Sequence, residues 1–183
     1  MAKVGCRYVA WCAAGESAGI VLGRMMEGNL TINTSSGSLY SDDALEIEID
    51  DFNSADFALT TSSLDDATYA AIHGATVTTG TGAAGDVVDK ITDTPPLAKL
   101  GYIQYIMRKG TNGVEKKYRA VCFYQAQAQL TNDNSSTKGQ NVNFTGEQTN
   151  FKITADEDGQ WRSRKELSSE DDAKAFVDDW CSI

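Results

Sequence analysis

The sequence predicts a mainly β protein: two packed β-sheets, forming a sandwich or barrel, with a short internal helix and a C-terminal amphipathic helix. Three observations carry this. Segments rich in Thr, Val, Ile, Tyr and Phe alternate apolar and polar residues with period two, which gives a strand one face for a core and one for water. Clusters of Gly, Ser and Asn interrupt these segments at short intervals. Only two stretches carry helical spacing behind a start signal.

Strands are expected near Val4 to Ala13, Ala18 to Met26, Leu30 to Thr34, Leu45 to Asp51, Phe57 to Thr61, Ala75 to Thr79 and Val87 to Thr92. Leu100 to Lys109 and Val114 to Gln129 form the longest paired run. They are joined by Gly110-Thr111-Asn112-Gly113, whose glycines supply the positive φ of a tight hairpin turn. A polar loop at Thr131 to Gly139 precedes Val142 to Thr145. Thr149 to Ala155 and Gln160 to Arg164 then bracket the turn Asp156-Glu157-Asp158-Gly159.

The first helix opens at Ser63-Leu64-Asp65-Asp66, with the Ser63 hydroxyl as cap, presents Tyr69 and Ile72 on one side and stops at Gly74. The second opens at Ser168-Ser169-Glu170. Its Ala173, Phe176, Val177, Trp180 and Cys181 fall at i, i+3, i+4, i+7 and i+8, a stripe that has to pack on a sheet.

At 183 residues the chain fits a single domain over 1–183 with extended loops or arms, because domains run roughly 100 to 200 residues. Its 16 Lys and Arg against 26 Asp and Glu give a net charge of −10, a surface that repels phosphate backbones and anionic membranes. No apolar run approaches the roughly 20 residues that span a bilayer, and the first residues carry no secretory signal, so a cytoplasmic origin is expected. Cys6, Cys12, Cys122 and Cys181 lack the close pairing of a zinc site and read as buried thiols. The Asn-x-Ser/Thr triplets at Asn29, Asn33, Asn134 and Asn143 read as polar loop and strand residues.

Gly80-Thr81-Gly82-Ala83-Ala84-Gly85 spells a dinucleotide motif, but the β-branched stretch behind it opens no helix, and a hairpin tip is the expectation. A single histidine, His73, leaves no triad or multi-histidine metal site and reads as structural. The Asp156 to Asp158 cluster lacks the twelve-residue calcium pattern. No catalytic residue, metal or cofactor is expected.

The most informative charged feature is Leu45-Glu46-Ile47-Glu48-Ile49-Asp50. Alternation puts Leu45, Ile47 and Ile49 on one face and Glu46, Glu48 and Asp50 on the other, which is uniformly acidic.

In order along the chain, several motifs resemble the major tail proteins that build the tail tube of long, non-contractile phage tails. Leu39-Tyr40-Ser41-Asp42-Asp43-Ala44 is similar to the family's Leu-Tyr-Ala-Asp-Asp segment, and the acidic strand and a short glycine-closed helix follow. Thr94-Pro95-Pro96-Leu97-Ala98-Lys99-Leu100-Gly101-Tyr102 resembles the family's entry into its main hairpin. Lys138-Gly139 with Val142 to Gly146, then Asp158-Gly159-Gln160-Trp161 and the acidic terminal helix, resemble its ending. The resemblance covers nearly the whole chain; the immunoglobulin-like domain that some relatives append is not expected.

The resemblance implies a tail-tube-like fold, hexameric rings stacked head to tail around a lumen, and a structural role in the virion tail after assembly in a bacterial cytoplasm. The implied partners are further copies of the chain, the tape-measure protein in the lumen, and the tail-tip and tail-terminator proteins. DNA passes through without specific binding. Glu46, Glu48 and Asp50 are expected to line the lumen, since an acidic bore repels phosphate. The loops Gly28 to Ser41, Gly80 to Asp86 and Thr131 to Gly139 are expected between subunits, with Asn29, Asn33, Ser36, Thr81, Gly82, Asn132, Asn134 and Lys138 as contacts. The alternatives are a carbohydrate-binding β-sandwich module, which would display clustered aromatics, or a related ring protein such as a tail terminator or a secretion-system tube.

Overall fold

The computed structural model describes residues 2–41, 44–78, 86–110, 113–130 and 146–183, and the side chains of these except 2 and 39–48. The chain is mainly β. Its strands are β1 (Ala2–Ala13), β2 (Ile20–Val21), β3 (Met25–Ser41), β4 (Ala44–Thr61), β5 (Thr76–Thr78), β6 (Asp86–Val88), β7 (Leu97–Gly110), β8 (Gly113–Gln129), β9 (Glu147–Thr154) and β10 (Arg162–Leu167). Helix α1 (Asp66–His73) follows β4 and helix α2 (Glu170–Cys181) follows β10.

One eight-stranded antiparallel sheet runs β2-β1-β7-β8-β9-β4-β3, with β10 also paired to β8; β5 and β6 form a separate two-stranded sheet. The path begins at β2 and ends at β3, yet only Leu22, Gly23 and Arg24 connect those two strands. Three residues span about 10 Å, so the two margins of the sheet are forced together and the sheet curls on itself. Gly23, at φ 79°, makes the crossing in a conformation that side chains resist.

The two packed layers are thus halves of one continuous sheet. Between them lie Val9 and Trp11 of β1, Leu100 and Tyr102 of β7, Phe123 of β8, Phe151 of β9 and Phe57 and Leu59 of β4, all buried. Phe57 meets Tyr102 at 5.0 Å and Phe123 at 5.3 Å between ring centroids, joining the halves across the interior. Ile72 of α1 closes the same core.

Alternation then gives the opposite face to α2. Ala10, Cys12, Ile103, Ala120 and Cys122 point outward, where Ala173, Val177 and Cys181 bury completely against them. Gly101 is what lets the helix approach: a Cβ there would lie 2.9 Å from Val177 Cγ1. Ser169 caps α2 by accepting from the Asp172 N–H, as its sequence signal implied.

Several expectations are corrected. α1 is capped by Asp65, which accepts from the Thr68 N–H, because the helix begins later than Ser63 suggests; Gly74 ends it at φ 69°. The strand expected over Ala18 to Met26 breaks at the crossing between β2 and β3, and β6 ends at Val88. Leu30 to Thr34 is part of a 17-residue strand, and Leu45 to Asp51 and Phe57 to Thr61 are one 18-residue strand. β9 and β10 bracket a turn at Asp156 to Gly159 as expected, but they do not pair with each other. Both run antiparallel to β8, β9 beside Gln125 to Gln129 and β10 beside Tyr118 to Phe123, so the acidic turn is an outward excursion in one interrupted strand. Val142 to Thr145 lies outside the described residues.

Candidate functional site

The register of β3 against β4 overturns the loop expected at Gly28 to Ser41. Pairing continues from Met25↔Thr61 to Ser41↔Ala44, so Asn29, Asn33 and Ser36 are strand residues. The Ser, Asn and Gly content that suggests a loop is tolerated because every position has a cross-strand partner; Ser36, for example, pairs with Asp50 and Gly37 with Ile49. Thr81, Gly82, Asn132, Asn134 and Lys138 lie outside the described residues, as do the side chains of Glu46 and Glu48.

β9 pairs with β4 only from Ala55 to Thr61. Among the described residues, 44–54 therefore have β3 as their one ladder partner, and β3 is the last strand of the sheet. The outer hairpin, 34–41 with 44–54, is a two-stranded arm, an arrangement of marginal stability in water by itself. Ile49 is 53% exposed on it, and Asp50 and Asp51 are exposed beside it.

The root of the arm is fastened to the body in two places. Phe52 stacks on Trp161 in the excursion between β9 and β10. Asn33 donates to Asp56 Oδ2 at 2.7 Å and Lys152 Nζ reaches Asp56 Oδ1 at 3.1 Å. The Asn33 hydrogen bond first, and Lys152 second, hold the Asp56 carboxyl below the usual carboxylate range. Asn33 is thus a contact within the chain.

The second feature is a cleft of about 640 Å³ where the two margins of the curled sheet diverge. They touch where the Cys6 thiol donates to the Met26 carbonyl at 3.5 Å. Residues 3–6 of β1 and 26–30 and 32 of β3 wall the opening, Asn29 among them, and the inner faces of β7, β8 and β10 floor it.

The floor follows from register. Tyr102, Val121 and Arg164 form one cross-strand row, and Gln104, Arg119 and Glu166 the next. The floor therefore combines aromatic, aliphatic and cationic side chains, and Arg162 and Arg164 join Arg119 and Lys3 in lining the cleft. Arg119 contacts Glu166. Arg162 lies over Trp161, 4.2 Å from the ring centre. Burial, then the like charges of Arg164 and Arg119, pull the Arg162 guanidinium below its ordinary range. Burial pushes the neighbouring Tyr102 phenol up to about 12.

Sequence reasoning missed this site. Its signal was Arg162-x-Arg164, a basic counterpart of the Glu46-x-Glu48-x-Asp50 alternation; the missing information was that β1, β3 and β10 meet around one opening.

His73 is buried with its ring 4.4 Å from that of Tyr69, its Nδ1 lacks a hydrogen-bond partner, and burial lowers its pKa. Cys12, Cys122 and Cys181 are buried, and burial pushes the last two up to about 12. Among the described residues no three His, Cys, Asp or Glu side chains converge on a metal-sized position. No protein-family model matches the chain, and no curated protein matches it.

Proposed function

We propose that this chain is the subunit of a phage tail tube, assembling as hexameric rings that stack into a hollow cylinder for DNA. The observation that carries the reading is the β3–β4 arm with its free edge. Among the described residues no further strand pairs with β3 at the end of the large sheet; such an edge is a template for strand pairing, and ring closure between identical copies satisfies it without leaving an edge to aggregate. The arm, marginal alone, gains its stability from a neighbour's surface.

A net charge of −10 gives such a tube the sign that repels a passing polyanion. On this reading the bore wall consists of carboxylates that meet no cation in the assembled ring, and Glu46, Glu48 and Asp50 serve it only if no neighbouring cation reaches them. The partners follow from the same reading: further copies, a tape-measure protein within, tail-tip and terminator proteins at the ends, and DNA in transit. The carbohydrate-binding alternative needs a displayed aromatic platform, whereas Trp11 is in the core, Trp161 lies between Phe52 and Arg162, and Trp180 meets Tyr124 edge-on.

Negative-stain electron microscopy of the concentrated protein tests the proposal. Annuli and stacked tubes are expected; globules that stay monomeric at every concentration and bind glycans would replace it with the alternative.

A further inference from the structure

We infer that the basic cleft is a docking site for an extended acidic strand of a second copy of this chain, the segment 46–51 seated with its carboxylates over Arg162 and Arg164. The inference deepens the self-assembly reading and gives the acidic stripe a protein partner in place of the bore.

Three observations meet here. The first is the shape of the opening: it is bounded by β1 at the margin of the curled sheet and by β3 at the other, so a strand entering between them finds open backbone edges on its flanks. The second is charge. Lys3, Arg162 and Arg164 have no carboxylate within 4 Å among the described residues, while the chain as a whole carries −10. Glu27 also lines the cleft, with Asn29 donating to its Oε1 at 2.8 Å, but it stands on the wall and leaves the cations of the floor in excess.

The third is spacing. Arg162 and Arg164 are two residues apart on one strand, hence about 6.7 Å apart on one face. Glu46, Glu48 and Asp50 repeat with the same interval in the sequence. The β3–β4 register is regular from Ile47 to Phe52 and shifts at Glu46, so a strand laid along β10 brings Glu48 and Asp50 to the spacing of Arg162 and Arg164. Arg162, stacked on Trp161, is already held in place, which lowers the ordering cost of each charge-assisted hydrogen bond. The strand pair that carries the acidic segment extends past the end of the β4–β9 pairing.

A synthetic peptide of residues 44–52 titrated into the full-length chain, followed by tryptophan fluorescence, tests the docking directly. Saturable binding is expected, weakened about 10-fold by Arg162→Gln or Arg164→Gln and likewise by a peptide whose carboxylates are replaced by amides. Circular dichroism checks that both variants fold. In parallel, Arg162→Glu with Arg164→Glu should stop tube formation, and adding Glu48→Arg with Asp50→Arg to the same chain should restore it. Peptide that fails to bind, or binds the arginine variants equally, overturns the docking. Tubes that form normally from the arginine variants overturn it too, while leaving the tube reading standing. Arginine-dependent peptide binding by a chain that never forms rings supports the docking and removes the tube.

Discussion

Phe52 and Trp161 stack with ring centroids 4.3 Å apart and planes 9° from parallel, joining the root of the β3–β4 arm to the excursion that interrupts β9 and β10. Arg162 covers the indole as well, so one aromatic pair orients both the arm and the central cation of the cleft.

Removing Trp161 should therefore affect both. Trp161→Ala is expected to cost about 2 kcal/mol in urea unfolding, less than the ~3–5 kcal/mol of a fully buried tryptophan, since the ring is half-buried. A double-mutant cycle with Phe52→Ala should return a coupling of about 1 kcal/mol. Additive losses would show that the stacking does not hold the arm.

Ile49→Lys separates assembly from folding. The side chain is already exposed in the monomer, so the melting midpoint should stay within about 0.5 kcal/mol of the parent in free-energy terms. On the apolar face of an arm that lies against a neighbour, the buried ammonium should abolish tubes visible by electron microscopy. Tubes of normal length would remove that face from the interface.

Gly101→Ala probes the packing of α2. The added methyl would sit 2.9 Å from Val177 Cγ1 and 3.4 Å from Cys122 Sγ, an overpacking expected to cost about 1–3 kcal/mol. Combining it with Val177→Ala should cost less than the sum of the two single changes, because the second makes room for the first. Strict additivity in denaturant titrations would mean that the helix is not seated by this contact.

His73 gives a pH signature. Burial lowers its folded-state pKa below the unfolded value near 6.5, so the unfolded chain binds the proton more readily. The stabilisation is fully present above about 6.5 and is lost as pH falls toward the folded pKa. It is the only histidine, and ordinary carboxylates titrate lower, so the melting temperature should drop between pH 7 and pH 5.5. His73→Phe keeps an aromatic ring against Tyr69 and should flatten that slope; an unchanged slope would locate the titration elsewhere.

The β class, the β7–β8 hairpin and both helices were legible in the sequence, because period-two alternation, paired turn glycines and capping residues are local properties. Ser169 and Gly74 act where local chemistry placed them. The acidic stripe at Glu46, Glu48 and Asp50 is likewise a pattern of the sequence, although the register against β3 shifts at Glu46 and interrupts the alternation there. Its surroundings were not legible: beyond the expected strand Leu30 to Thr34, the stretch Gly28 to Ser41 looked like a loop because Ser, Asn and Gly form strands only where a partner strand fixes their register. The three-residue crossing at Leu22 to Arg24, trivial as sequence, closes the sheet and creates the cleft. Only that closure brings Lys3, Arg119, Arg162 and Arg164, separated by as much as 161 positions (164 − 3), around one opening, since curvature and strand order are decided by pairings distant along the chain.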